Sequence, residues 1–429
     1  MKNNKPQETT GPGAPASGRR AFLARGAAVS AAAVASAKLI PAAQASEANL
    51  PPNVPAWMKT QGGGFLNPPY GLPSPFEKNV VRKLPATVAA FPTATRTPLQ
   101  NLFGTITPNG LFFERHHAGV PVINPDEHRL MVHGLVERPL LLTMNDLMRY
   151  PSFTRIYFLE CSGNSAAEWN KPTGKTAQDV HGLLSCSEWT GVPLSTILDE
   201  VGVKPEGKWL LAEGADAAAM TRSIPLEMAM KDALLVYAQN GERLRPEQGY
   251  PLRLLLPGIE GNMSIKWLRR LKIGNQPFYT REETSKYTDL MPDGKAREFT
   301  FEMDVKSVIT TPSGGQTLRE KGLYEISGIA WSGRGKIRSV DVSVDGGRNW
   351  REAVLQGAIQ SKAVTRFCLP WRWNGEPAIL QSRAIDETGA VQPTRQQLIA
   401  ARGTKSFYHY NGIQSWKVAT SGEITNVHA

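Results

Sequence analysis

Val340, Val342 and Val344 alternate with Asp341 and Ser343, and Asp345-Gly346-Gly347 then turns the chain. A period of two puts the valines on one face of a strand and the polar residues on the other, which a helix cannot do. The Asp-Gly-Gly run suits the positive backbone angles of a tight hairpin. Leu323 to Trp331 before it repeats this texture, as do Ala378-Ile379-Leu380 and Arg383-Ala384-Ile385 ahead of Gly389. From about residue 302 onward the pattern predicts a β-sandwich.

Upstream, residues 101–300 mix helix and strand patterns. Leu194, Ile197, Leu198 and Val201 recur at helical spacing between Pro193 and Gly202. Thr143 and Asp146 form a capping pair for a short helix ended before Pro151. Trp209 to Ala212 and Leu252 to Leu256 read as strands. Residues 46–100 are rich in proline and glycine, as in Pro51-Pro52, Gly62-Gly63-Gly64 and Pro68-Pro69, and predict an extended arm.

The first 45 residues read as an export signal. Arg19-Arg20-Ala21-Phe22-Leu23 is a twin-arginine pattern, an alanine-rich run follows from Gly26, and Ala43-Gln44-Ala45 offers a cleavage site. The run is too short to span a bilayer. That route carries folded cargo, which points to a cofactor inserted before export and to the periplasm as destination. The formal charge of +11 loses six basic residues and one acid, Glu8, with the signal, leaving +6. A modest positive excess without basic stripes fits an anionic substrate or cofactor better than nucleic acid.

The chain has three cysteines, Cys161, Cys186 and Cys368, and no CxxC or CxxCH pair. An oxidising compartment with so few argues against a disulfide framework. Cys161-Ser162-Gly163-Asn164 forms a tight turn after the apolar run through Phe158. A thiolate there suits a soft metal; a buried inert cysteine fits the segment equally well. Cys186 and Cys368 read as packing residues.

Three further patches carry cations. Phe112-Phe113-Glu114-Arg115-His116-His117 offers the Arg115 fork for an oxyanion, and its adjacent histidines lack the spacing of a zinc pair. Gln248 to Arg253 leads through Pro257-Gly258-Ile259-Glu260-Gly261-Asn262 to Ser264-Ile265-Lys266-Trp267. A glycine loop with two cations can hold a phosphate or be a plain connection. Thr284 to Asp289 presents Tyr287, whose hydroxyl could steer an oxyanion.

Taken together over residues 95–425, these patches resemble the sulfite oxidase family of molybdenum enzymes. Glu213-Gly214-Ala215-Asp216, Trp331-Ser332-Gly333 and Val342 to Gly347 join the match. The resemblance implies an α+β molybdopterin-binding domain over 101–300 and an immunoglobulin-like dimerisation domain over 301–429. It implies molybdenum with molybdopterin as cofactor and Cys161 as metal ligand. By position, Phe113, Glu114, Arg115, His116, His117, Asp216, Gln248, Arg253, Ser264, Ile265 and Lys266 would hold the pterin. Arg115, Tyr287 and Arg366 would face the substrate.

Members acting on free sulfite often carry an arginine pair after the cysteine motif, where this chain has Ser165 and Ala166, and a histidine where it has Gln248. Pro55 to Lys59, Pro68 to Gly71, Ser74 to Glu77 and Glu283 to Met291 resemble the SoxC branch, the molybdenum subunits of sulfane dehydrogenase. That branch implies oxidation of sulfane sulfur held on a carrier protein. It also implies a separate c-type cytochrome subunit, SoxD-like, because this chain cannot attach a haem. A free-sulfite dehydrogenase is the alternative within the family. Outside it stands a metal-free binding protein that kept the fold.

Overall fold

The computed structural model describes residues 72–86 and 93–429. The twin-arginine segment and the arm motifs before residue 72 lie outside the described residues. Pro75 to Ala429 form one compact unit. Thr95, Thr97 and Leu99, expected in the arm, are buried in this unit, and Thr93–Ala94 pairs with Arg115–His116.

Two five-stranded sheets build the N-terminal part. In the first, Glu242–Arg243, Leu234–Gln239, Leu184–Pro193 and Phe153–Glu160 lie side by side, and Arg253–Leu255 also pairs with Leu234–Gln239. In the second the order is Leu140–Leu142, Leu130–Gly134, Leu268–Gly274, Trp209–Gly214 and Thr221–Pro225. Only its Leu130–Gly134 and Leu268–Gly274 pair is parallel. The helix Leu194–Val201 buries Leu194, Ile197, Leu198 and Val201 and ends at Gly202, φ +63°. The Thr143–Asp146 capping box holds the short helix Met144–Leu147.

The C-terminal part is mostly β. A four-stranded sheet of Lys306–Thr311, Gly322–Trp331, Thr365–Trp373 and Val354–Gln356 faces a five-stranded one. The latter runs Arg351–Glu352, Ile337–Ser343, Ala378–Asp386, Ser415–Val418 and Ile424–Val427. Val340 and Val342 are buried, as their alternation requires, with Phe367, Leu380, Trp331 and Trp416 in the same core. That core also takes in Leu99, Phe158, Ala177, Val180 and Cys186 from the N-terminal part. The two parts therefore share apolar packing, and the end of the Phe153–Glu160 strand sits against their junction. Gly258, at φ +77°, completes this junction: a Cβ there would lie 2.3 Å from the Gly333 carbonyl oxygen. The glycine is a packing requirement between the parts.

Candidate active site at Cys161

The strand Phe153–Glu160 delivers Cys161 to the floor of a cavity. Its turn is closed by Asn164 N donating to Cys161 O (2.9 Å) and by Cys161 N donating to Leu183 O (3.0 Å). Asn164 also donates from Nδ2 to Glu160 Oε1 (2.9 Å) and accepts from Leu183 N at Oδ1 (3.1 Å). None of these bonds uses the sulfur, which lines the cavity and meets the Gly163 N–H. Burial pushes the Cys161 thiol up, and the nearby Arg115 guanidinium opposes that shift. With its environment favouring the neutral thiol, a soft cation is what would draw out the proton.

The cavity, about 70 Å³, gathers residues from all four sequence patches. Phe113, Arg115, His116, His117, Asp216, Gln248, Arg253, Ser264, Ile265, Lys266 and Tyr287 line it around Cys161. Two expected residues do not. Glu114 turns away to pair with Arg82 (2.8 Å) and His116 (3.2 Å). Arg366 lies on the strand Thr365–Trp373, where Nη1 donates to the carbonyls of Leu102 (3.2 Å) and Gly104 (3.1 Å) beside Cys186. The placement of Arg366 against the substrate is corrected: its guanidinium ties a loop to the C-terminal sheet. Arg366→Met is expected to keep turnover within about twofold while costing about 1 kcal/mol of stability, by steady-state rates and urea melts.

One end of the cavity is cationic. Arg253 is 3% exposed, donates from Nη1 to Gln248 O (3.2 Å) and Oε1 (3.3 Å), and leaves Nε without a partner. Lys266 donates to Glu247 O (2.9 Å) and stands 4.5 Å from the centre of the Trp267 ring. Gly249, at φ +109°, lets the chain pass close: a Cβ there would meet Lys266 Cα and Cβ at 3.1 Å. Neither cation has an acidic ion-pair partner among the described residues. Burial lowers Arg253 to about 9, and burial with Arg253 nearby lowers Lys266 to about 7. A buried arginine with a spare donor beside a half-buried lysine calls for an anionic group such as a phosphate.

This has a pH signature. Unfolded, Lys266 holds its proton up to its ordinary value of 10.5; folded without an anion, it loses it at about 7. Between those values the unfolded chain binds the extra proton, so stability rises with pH across that window, and below it both states hold the proton and the contribution is flat. Cofactor-free protein should therefore show a higher thermal midpoint at pH 9 than at pH 7. Lys266→Met should flatten that slope.

The other end carries His117 and Tyr287. His117 Nε2 and Tyr287 OH are hydrogen-bonded at 3.0 Å. Burial and then Arg115 lower His117 to about 3, so it is neutral, and burial raises the Tyr287 hydroxyl, so it keeps its proton. Arg222, fully buried, lies 5.2 Å from the centre of the Tyr287 ring and bonds Asn262, whose Nδ2 donates to Ser162 Oγ (3.1 Å). Tyr287 and the cysteine turn are thus held from behind through one network. A wider cleft opens past Cys161, Arg115 and Tyr287 between Ser165, Lys286, Phe407 and Tyr408.

Sequence reasoning quoted Asn262 and Trp267 without giving them a role. It missed Met220, Phe407 and Tyr408, which only the tertiary fold brings to the site.

The fold and this cavity agree with known proteins. Residues 117–281 match the oxidoreductase molybdopterin-binding domain model, and residues 297–415 match the Mo-co oxidoreductase dimerisation domain model. Chicken sulfite oxidase is 32% identical over 67% of this chain and 68% of its own length. The chain belongs to the sulfite oxidase family. It spans 65% of rat mitochondrial sulfite oxidase, at 31% identity over 76% of this chain. The crystal structure of the sulfane dehydrogenase SoxCD from Paracoccus pantotrophus is similar at 50% identity and a TM-score of 0.86. The match covers 88% of this chain and 98% of that one. A nitrate reductase from Ulva prolifera is also 33% identical over 58% of this chain and 32% of its own length, so membership alone does not fix the substrate. The family's molybdenum cofactor with molybdopterin is the cofactor of this protein. The cavity fits it: a thiol at one point and, at the other end, a buried Arg253 with a spare N–H beside a half-buried Lys266.

Proposed function

We propose that this chain is the molybdenum subunit of a periplasmic dehydrogenase. It would oxidise sulfane sulfur bound to a carrier protein and pass electrons to a c-type cytochrome subunit. The similarity to SoxCD, over nearly the whole of that chain at 50% identity, carries the reading. Two features of this chain support it. Ser165 stands where an arginine would favour small free sulfite, and its hydroxyl is already bonded to His181 (2.8 Å) and Lys306 (3.0 Å). The cleft beyond Cys161 is far larger than an inorganic oxyanion needs.

Cys161 would ligate molybdenum. Arg253, Lys266 and Gln248, with Asp216, Ser264, Ile265, His116 and Phe113, would hold the pterin and its phosphate. The bound cofactor supplies two-electron redox chemistry at sulfur; the protein supplies orientation and field. Arg115 places a fixed positive charge where an oxyanion develops. Tyr287, kept protonated, donates a hydrogen bond there while neutral His117 holds its hydroxyl in place.

The twin-arginine pattern supports export in folded form. The two facing antiparallel sheets support an immunoglobulin-like reading of the C-terminal part, and its match to a dimerisation domain supports a homodimer within a larger assembly. Among the described residues no helix is long and apolar enough to cross a membrane. A free-sulfite dehydrogenase is the second reading, favoured by the sulfite oxidases among its relatives. Turnover of the molybdenum-loaded protein with sulfite and with a persulfide-bearing carrier protein separates them. Fast sulfite turnover with no response to the carrier would overturn the first reading.

A further inference from the structure

We infer that Phe407 is a specificity-determining residue: it contacts the peptide around a carrier-bound sulfur and contributes nothing to a free inorganic oxyanion. The inference rests on the carrier-protein reading above. Phe407 lines the cleft beside Cys161, Arg115 and Tyr287 and is 58% exposed. Its ring edge lies 3.3 Å from where a Cβ on Gly163 would stand, and that same point is 3.9 Å from Cys161 Sγ. The phenyl group therefore forms the rim immediately above the cysteine turn.

Scattered exposed apolar residues are ordinary. This one differs because the fold fixes it in place. Asp289 Oδ1 accepts from both Phe407 N and Tyr408 N at 3.2 Å, and Arg402 anchors Asp289 at 2.9 Å. On the other side, His409 N donates to Ser162 O at 2.8 Å, inside the cysteine turn. The Phe407 ring packs edge-on against Tyr408 (5.0 Å), and Tyr408 leans on Tyr287 (5.2 Å). An apolar surface is thus held rigid, half in water, at the mouth of a site whose inner groups are polar and cationic. A pre-positioned aromatic gains most when a partner covers it and little ordering entropy is lost.

An oxyanion seated at Arg115 and Tyr287 offers nothing apolar to cover that ring. A sulfur on a cysteine brings its own methylene and the flanking backbone through the mouth. Arg115 and Tyr287 would serve both substrates, and Phe407 only the second. Lys286, also on the cleft, acts through charge and would affect both.

The test compares Phe407→Ala with wild type in the molybdenum-loaded protein, using ferricyanide as acceptor. The substrates are sulfite and a carrier protein bearing a cysteine persulfide. The ratio of kcat/KM for carrier to kcat/KM for sulfite should fall about tenfold or more, mostly through KM for the carrier. Phe407→Leu should recover part of it, and the thermal midpoint should stay near wild type. Equal losses on both substrates would mean a merely structural role, and an unchanged ratio would remove Phe407 from recognition; either overturns the inference. A wild type that responds to the carrier while the variant keeps its ratio sinks this inference alone. A wild type that ignores the carrier sinks the proposed function and this inference with it.

Discussion

Cys161→Ser should leave a folded protein that turns over at least about 10³-fold more slowly, a loss of about 4 kcal/mol in transition-state stabilisation. The turn survives because its bonds run through the backbone, Asn164 and Glu160. The change is small in volume at a residue only 8% exposed. What is lost is chemical: a hydroxyl is a harder donor than a thiolate and does not surrender its proton at neutral pH. The checks are steady-state rate, molybdenum content and thermal midpoint on the same preparation. Wild-type turnover in the variant would remove Cys161 as the metal ligand.

Cys186 supplies the contrast. It packs beside Phe158 in the shared core, and burial pushes its thiol up to about 12. Cys186→Ala should therefore cost stability rather than rate.

Much of this was legible in the sequence because it is local. The valine alternation at 340–344 and the Leu194–Val201 helix are set by neighbours a few residues apart, and the structure has them at those positions. The loop carrying Arg253 and Lys266 fitted a plain connection as well as an anion site, and only the fold brings both cations to the Cys161 cavity. Arg366 misled because an arginine on a strand has a long reach. Which carbonyls it meets depends on how the loop near Gly104 lies across the sheet, a tertiary fact. Phe407 and Tyr408 gave no pattern at all. They follow the helix Arg395–Arg402, and only the Asp289 anchor folds them back over the cysteine turn.

The same tertiary logic sets the second large effect. Glu160, the residue before Cys161, is 1% exposed, and its carboxylate accepts from Lys306 Nζ (3.1 Å), Asn164 Nδ2 (2.9 Å) and Trp331 Nε1 (2.6 Å). Lys306 is equally buried, and its Nζ also donates to Ser165 Oγ at 3.0 Å. Burial lowers the Lys306 pKa, and Glu160 opposes that shift. Lys306 and Trp331 both come from the C-terminal sheet, so the cysteine turn is clamped by the part expected to dimerise. Removing one charge strands the other away from water. Glu160→Leu or Lys306→Met alone should each cost about 3–5 kcal/mol. The double variant should cost clearly less than the sum, because neither charge is then left unpaired. Denaturant midpoints of the four proteins measure this, with the protein concentration held fixed. Additive costs would show that the pair is not what joins the cysteine turn to the C-terminal sheet. The single variants should also lose turnover beyond what their stability explains, since Asn164 and Ser165 lose the partners that set the turn. If Lys306→Met retained the full wild-type rate, the clamp would be structural only, and the position of Cys161 would rest on Asn164 and Leu183 alone.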